Sequence, residues 1–317
     1  MEPNRYEDPW MVTRLIQIRS SALVVEILPE IGGKTGQIRS TISGREYLVP
    51  PQKPYCTLSP EGNWLQHDTS GMDDCFPNVA AGMYPDAPWS SVHLPDLGEW
   101  THGVWEVIKA DICEVTMERK GAALPYRAVK TVRFLDEETL EFSYRVSNQG
   151  RFPMRFLWSA HPLIAVQGEY EVMLPAGRSR FRTFPSDRVT HTWPMWKSID
   201  LSREWIPYGT TLKIFVSDLS EGWCALRQPT HTLHFTFDRN ELPALGIWFN
   251  NFGFPAESGK HLRCIALEPC TSANDLLDEL NPAAYPSIPA EGSVHWSMRL
   301  RILQHDNGST DAQEHKR

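Results

Sequence analysis

The sequence predicts an all-β protein, a large antiparallel β-sandwich with one or few short helices. Segments with β-branched or alternating apolar residues follow one another without helical segments between them, which favours meander or sandwich connections over parallel βαβ units. The 25 prolines are spread along the chain and exclude long helices, while the 12 tryptophans favour strands. A chain of 317 residues can bury the core of such a sandwich as one large domain.

The individual elements are predicted from these local patterns. The predicted strands cover residues 14–18, 23–28, 104–108, 113–117, 128–134, 139–146, 211–216, 233–237 and 294–300. Asp111 and the acidic run 136–138 predict hairpin connections between neighbouring strands. A short helix is predicted over 271–280, because the Thr271 hydroxyl can cap its start and Asn281-Pro282 can stop it.

No break in composition divides the chain. We therefore expect one domain over residues 1–304, followed by a polar tail, 305–317, that cannot bury enough surface to order itself. The six cysteines show no C-x-x-C spacing and several lie in apolar runs, so buried free thiols are favoured over a metal site or a disulfide framework.

Composition also limits the possible partners. The net charge is −8 and the basic residues form no long run, which argues against nucleic acid. No segment approaches the roughly 20 apolar residues of a membrane helix and the first residues lack a signal-peptide pattern, so we expect a soluble, cytoplasmic protein. Oligomeric state is left open, because an exposed strand edge can either pair or be protected.

Two strand-like segments end in side chains that can move protons. Glu268 closes the apolar segment 262–267, and Pro269 then stops the β-ladder. His161 closes the segment 156–160 in the same way. A carboxylate and an imidazole on rigid strands are the minimum apparatus for proton transfer on a small substrate. The structural alternatives are a solvated strand end for Glu268 and a core histidine bonded to backbone for His161.

Five short motifs occur in order along most of the chain. They are Gly32-Gly33-Lys34 with 43–48, the loop 71–77, His161-Pro162, Glu268-Pro269 and the segment 288–292. None is specific alone, but in this order they resemble the aldose 1-epimerase, or galactose mutarotase-like, superfamily. The resemblance implies a β-sandwich whose concave face binds a sugar. It also implies an isomerase without cofactor or metal that interconverts the α and β anomers.

The resemblance also implies roles for individual residues. Mutarotation needs a base for the C1 hydroxyl and an acid for the ring oxygen; Glu268 matches the base and His161 matches the acid, or the partner of the ring oxygen. Many relatives carry a further histidine where this chain has Leu97, and the nearest imidazole is His102. Either His102 has taken over the acid role or the site keeps a single histidine. Leu97 at this position is also compatible with a sugar-binding or sensing protein that has lost catalysis.

Several polar residues are candidates for contact with the sugar. Asp73 and Asp74, in a Gly-flanked loop, could act as paired acceptors for sugar hydroxyls, or could form an Asx-turn. Trp248 could stack on the C–H face of the sugar and Asn250 could reach a hydroxyl, although core packing is an equal alternative for Trp248.

Two basic candidates complete the predicted site. Lys34, after its glycine pair, could reach a substrate oxygen or point to solvent. Arg180 lies in the alternating segment Arg178-Ser179-Arg180-Phe181-Arg182, which as a strand would place three guanidinium groups on one face. Such a row could bind a phosphate, sulfonate or carboxylate on the sugar, whereas a charged edge strand that blocks pairing is the structural alternative.

Overall fold

The computed structural model describes residues 14–55, 68–254, 262–277 and 282–305. Helical structure in these residues is limited to one turn, α1 (Gly98–Thr101), and a 3-10 turn (Pro282–Ala284). The strands are β1 (Ile16–Arg19), β2 (Leu23–Leu28), β3 (Lys34–Ser40), β4 (Met72–Cys75), β5 (Gly82–Met83), β6 (His93–Leu94), β7 (Glu106–Ala110), β8 (Glu114–Lys120), β9 (Tyr126–Phe134), β10 (Thr139–Asn148), β11 (Met154–Arg155), β12 (Ser159–Pro162), β13 (Ile164–Ala165), β14 (Glu171–Met173), β15 (Arg180–Phe184), β16 (His191–Thr192), β17 (Met195–Trp196), β18 (Ile199–Asp200), β19 (Thr210–Val216), β20 (Trp223–Gln228), β21 (His231–Phe237), β22 (Ala244–Asn251), β23 (Arg263–Cys270), β24 (Ser287–Ile288) and β25 (Ser293–Gln304).

Two large antiparallel sheets contain most of these strands. Over the described ranges, the larger sheet has 11 strands in the order β1-β2-β3-β4-β12-β23-β22-β19-β15-β16, with β13 also paired to β23. The smaller sheet has eight strands in the order β14-β20-β21-β25-β10-β9-β8-β7. Three two-stranded pairs, β5-β6, β11-β24 and β17-β18, are carried in the connections. The predicted all-β class and large antiparallel sheets are therefore confirmed.

The core lies between the two sheets. Residues alternate between buried and exposed along β9 and β25, so each strand of the smaller sheet turns one face inward. Trp158 directly precedes β12 of the larger sheet and contacts two residues of the smaller sheet. Its ring centroid lies 4.8 Å from that of Tyr144 and 5.5 Å from that of Trp296. Lys130 and Asp74 form an ion pair of 2.6 Å across the same layer. Aromatic packing and a buried ion pair thus join the sheets.

The predicted helix over 271–280 is wrong for residues 271–277, which form bends; residues 278–280 lie outside the described part. Strand β23 continues to Cys270, and the next backbone groups bond to other segments. The Thr271 backbone N–H donates to the Trp158 carbonyl and the Thr271 hydroxyl accepts from the Trp158 N–H, while the Asp275 carbonyl accepts from Val79 and Ala80. Because these bonds tie the segment to distant parts of the chain, a helical ladder does not form over residues 271–277. The hairpins predicted at Asp111 and 136–138 do join paired strands.

Candidate functional site

One face of the 11-stranded sheet carries a cluster of charged side chains. Glu268 on β23 is paired with Gly246 on β22, and His161 on β12 is paired with Asp73 on β4. Paired residues of antiparallel strands point to the same face. His161 and Glu268 also meet directly, because Nδ1 of the imidazole lies 3.1 Å from Oε1 of the carboxylate. The two predicted proton-transfer groups are therefore neighbours on one face.

Glu268 has no exposed surface and is held at both oxygens. Its Oε2 accepts from Lys213 Nζ at 2.5 Å and from Ser159 Oγ at 3.4 Å. Burial alone would raise the pKa of Glu268, but the charges of Lys213 and His161 and their hydrogen bonds outweigh it and lower the pKa to about 2. Glu268 is consequently a carboxylate at neutral pH.

Lys213 is a member of this cluster that the sequence reading missed. It lies on β19, and its ammonium group joins Glu268 to Asp275, whose Oδ1 is 3.1 Å away. Burial opposes the charged form, yet Asp275 and Glu268 together raise the pKa of Lys213, so it stays protonated. Its signal in the sequence was a lone cation within the apolar strand segment 211–216. That signal becomes informative only once the face of the strand is known.

Gly246 allows the lysine to reach across the intervening strand. A methyl group at Gly246 would lie 3.1 Å from Glu268 Oε2 and 3.3 Å from the Phe215 ring. With no side chain there, Lys213 on β19 can contact Glu268 on β23, although β22 lies between them. The glycine thus provides the space in which the ion pair forms.

A cavity of about 550 Å³ opens over Lys213 and Trp248. The Trp248 ring is half-buried and lies 5.7 Å from the His161 ring, centroid to centroid. Other parts of the cavity wall are aromatic or charged, and include Phe184, Asp187, Trp196, Lys197 and Asp275. A charged cluster beside aromatic rings is suited to a ligand with both hydroxyl groups and apolar faces, as sugars have.

Searches among known proteins gave structural matches only. No protein-family model matches the chain, and no curated protein matches by sequence. The Slr1438 protein from Synechocystis sp. PCC 6803 superposes with a TM-score of 0.71 at 16% identity, covering 96% of this chain and 100% of that one. An Escherichia coli K12 protein provisionally described as an aldose 1-epimerase gives 0.70 at 14%, covering 92% and 100%. A galactose mutarotase related enzyme from Lactobacillus acidophilus gives 0.68 at 15%, covering 92% and 98%.

The chain has the galactose mutarotase-like fold. This confirms the fold implied by the short motifs of the sequence. In the part of the chain that the structure describes, no helix is both long and apolar enough to cross a membrane.

Within the galactose mutarotase-like fold, the two adjacent aspartates point to opposite sides of β4. Asp73 shares its face with His161, and its Oδ2 lies 3.2 Å from Lys34 Nζ. Asp74 faces the core, where it accepts from Lys130 at 2.6 Å and from the Tyr144 hydroxyl at 2.7 Å. Side chains alternate along a strand, so the two carboxylates cannot act as paired acceptors for one sugar.

Lys34 and Asn250 are both completely buried. Lys34 Nζ donates to both carboxylate oxygens of Asp68, at 3.0 and 2.9 Å, and to the Ser70 carbonyl at 2.9 Å. It therefore points neither to solvent nor to an open ligand surface, in contrast to both sequence expectations. Asn250 accepts from the backbone of Gly253 and Phe254 at 3.0 Å each, so it shapes a turn beside Trp248.

Arg180 is exposed and bound to Asp218, with Nε 2.9 Å from the carboxylate. Arg178, Arg180 and Arg182 are all exposed and alternate with buried residues, as predicted. Strand β15 pairs with β19 along Phe181–Phe184 and with the two-residue strand β16 at Arg180 and Phe181, so Arg180 does not mark a bare edge.

The loop after β6 carries Leu97 and His102 to different surroundings. Leu97, at φ 59°, donates its backbone N–H to the Val79 carbonyl, and Val79 in turn donates to the carbonyl of Asp275. His102 follows α1, with Nε2 2.7 Å from the Asp96 carbonyl of its own loop. Within the described residues, no hydrogen bond or ion pair joins His102 to the cluster. Leu97, rather than His102, is next to the segment that carries Asp275.

Proposed function

We propose that this chain is an aldose 1-epimerase that interconverts the α and β anomers of a sugar bound in the cavity over Lys213 and Trp248. The supporting observation is the 3.1 Å contact between His161 Nδ1 and Glu268 Oε1 beside that cavity. Solved structures that are named as aldose 1-epimerases or as mutarotase-related proteins share the fold, at 11–16% sequence identity to this chain. The expected cytoplasmic location and a part in carbohydrate metabolism belong to the same proposal.

The proton acceptor is the Glu268–His161 pair, and His161 is the member that contacts the sugar. Glu268 is fully buried and both its oxygens already accept hydrogen bonds, so it acts by holding the Nδ1–H of the imidazole. We assign Nε2 as the nitrogen that exchanges a proton with the substrate, because Nδ1 is the nitrogen bonded to Glu268. A carboxylate behind the ring stabilises the imidazolium that forms.

One imidazole is sufficient for the reaction, because the C1 hydroxyl and the ring oxygen are bonded to the same carbon. His161 removes the proton from the C1 hydroxyl and delivers it to the ring oxygen as the C1–O bond of the ring breaks. Rotation about C1–C2 turns the aldehyde over, and reversal of the proton transfer closes the other anomer. The Lys213 ammonium, next to the pair, stabilises negative charge that develops on a sugar oxygen. Leu97 in place of a second histidine agrees with this scheme.

Anomer equilibration followed by NMR tests the proposal. Freshly dissolved α-glucose and α-galactose are mixed with wild type, His161→Gln or Glu268→Gln, against the uncatalysed rate. We expect wild type to accelerate equilibration and each variant to lose about 10²–10⁴-fold of that acceleration. For Glu268→Gln we also expect a changed pH–rate profile, because its effect passes through the imidazole. Equal rates with and without protein on every sugar would contradict the proposal.

A sugar-binding or sensing protein without turnover is the second candidate. Its support is Leu97 where many relatives have histidine, together with the Lys213 bridge that occupies Glu268. Thermal stabilisation by sugars without any acceleration of anomerisation would favour this candidate, and acceleration would exclude it.

A further inference from the structure

We propose that the cavity binds a neutral, reducing oligosaccharide of at least two linked rings, with a second sugar subsite at Trp196. The proposal rests on the proposed function in one respect: the reducing ring is placed beside His161 and Lys213. The binding claim itself can be tested without turnover.

The size of the cavity supports two rings. Its volume of about 550 Å³ falls within the range of about 300–1,000 Å³ for clefts that enclose drug-sized ligands, so it has room for a ligand larger than one hexose. Trp248, Lys213 and Phe184 are paired across β22, β19 and β15 and share one face. Strands lie about 4.8 Å apart, so this row extends about 10 Å from the His161 end.

Two tryptophan side chains, Trp248 and Trp196, line this cavity. Trp248 is next to His161, with 5.7 Å between ring centroids. Trp196 is on β17, which follows β16, the edge strand beyond β15, and it lines the same cavity. Its ring is half-buried against the core, with Lys197 Nζ 4.4 Å from the ring centre. Tryptophan presents an apolar face to the C–H face of a sugar, so each of the two rings can support one sugar ring, at Trp196 once the flexible Lys197 side chain moves off its face.

The charges of the wall favour a neutral sugar. Two lysines and two aspartates line the cavity, and their charges cancel. Lys213 is already bound by Glu268 and Asp275, and Asp187 lies 2.8 Å from His191. A phosphate or carboxylate would have to compete with these internal partners. Hydroxyl groups can instead share them as additional hydrogen-bond partners.

Polar groups for the second ring are present near Trp196. Asp187, with its pKa lowered mainly by the hydrogen bond from His191, stays a carboxylate acceptor at neutral pH. Lys197 is exposed and supplies donors, and the Thr211 hydroxyl lies on the same wall. An aromatic platform with a few polar groups around it is the composition expected of a sugar subsite.

Titration calorimetry with glucose, maltose, cellobiose, lactose and glucose 6-phosphate tests the proposal. For wild type we expect at least one disaccharide to bind about 10-fold more tightly than glucose, which corresponds to about 1.4 kcal/mol, and glucose 6-phosphate to bind no better than glucose. Trp196→Ala should weaken disaccharide binding about 10-fold and leave glucose binding within about two-fold. Trp196→Phe should restore most of the affinity and checks that the fold is retained.

Trp223→Ala is the matched control, because Trp223 is also half-buried and stacked, on His234, but lies on the eight-stranded sheet. It should leave all affinities unchanged. Four results would each overturn the proposal. They are equal affinity for glucose and every disaccharide, an equal loss of affinity for both kinds of sugar in Trp196→Ala, tighter binding of glucose 6-phosphate than of glucose, and no binding of any sugar. Disaccharide binding as expected without accelerated anomerisation would overturn the proposed function and leave the subsite standing.

Discussion

Replacing Lys213 with methionine should destabilise the protein and reverse the direction in which folding shifts the pKa of Glu268. The substitution keeps the length of the side chain but removes the cation from Glu268, which has no exposed surface. Breaking a buried ion pair from one side costs about 3–5 kcal/mol, because a buried charge loses its counter-ion. Here Glu268 keeps only His161 and Ser159, and Asp275 also loses the lysine. We expect a loss of that size in the free energy of unfolding at pH 7, measured with urea.

The pH dependence gives the sharper measurement. In the wild type the pKa of Glu268 falls from its ordinary 4.5 to about 2, so the pairing of this carboxylate contributes to the stability of the folded state. Because the folded value is the lower one, this contribution is present above pH 4.5 and is lost as the pH falls toward 2. In Lys213→Met, burial is the largest remaining influence and raises the pKa of Glu268. Lowering the pH should then reduce the difference in the free energy of unfolding between the variant and the wild type, since a protonated carboxyl group carries no charge that needs a counter-ion.

Unfolding curves at pH 3, 5 and 7 for wild type, Lys213→Met and Lys213→Met/Glu268→Gln provide the assay. The double variant should recover part of the loss at pH 7, because the buried carboxylate at position 268 is gone and only Asp275 is left without the lysine. Lys109→Met is the control, since Lys109 forms a solvent-exposed pair with Glu114 at 2.8 Å and its loss should cost much less stability than the loss of Lys213. If Lys213→Met keeps the wild-type stability and acid response, the reasoning about this ion pair is refuted.

Three further predictions concern the surroundings of the cluster. Gly246→Ala should displace the Glu268 carboxylate 3.1 Å away, cost about 1–3 kcal/mol by urea unfolding and slow anomerisation; Gly82→Ala, with its nearest contact at 3.5 Å, should do neither. Lys130→Met should cost about 3–5 kcal/mol by leaving Asp74 unpaired in the core, yet the folded variant should anomerise sugars at the wild-type rate. Leu97→His should accelerate anomerisation about 10-fold or more by NMR, since histidine tolerates the positive φ of this position and adds a second imidazole; an unchanged rate would count against a site at Leu97.

Local sequence patterns were sufficient for the fold class. Period-two alternation and β-branched residues predicted strands that the structure contains, including β9, β10 and β25, and turn residues predicted the β7–β8 and β9–β10 hairpins. These signals depend on neighbouring residues only. The helix expected over 271–280 failed where tertiary contacts overrode the local signal, because backbone groups of Thr271 and Asp275 bond to distant segments.

The site was only partly predictable for the same reason. Glu268 and His161 stand out because a polar group ends an apolar strand, and both belong to the cluster. Lys213 carries no such mark, and its partners are 55 and 62 positions away in the chain. Lys34 and Asp74 looked like ligand contacts in the sequence but are held in buried ion pairs.

By itself, the sequence determined that strands form, that they pair as an antiparallel sandwich, and that a carboxylate and an imidazole end two of them. Tertiary structure alone decided which face each charged side chain occupies. The physical reason is that a strand alternates its side chains between two faces, so the register with neighbouring strands separates Asp73 from Asp74. The same register, with Gly246 leaving space, brings Lys213 to Glu268.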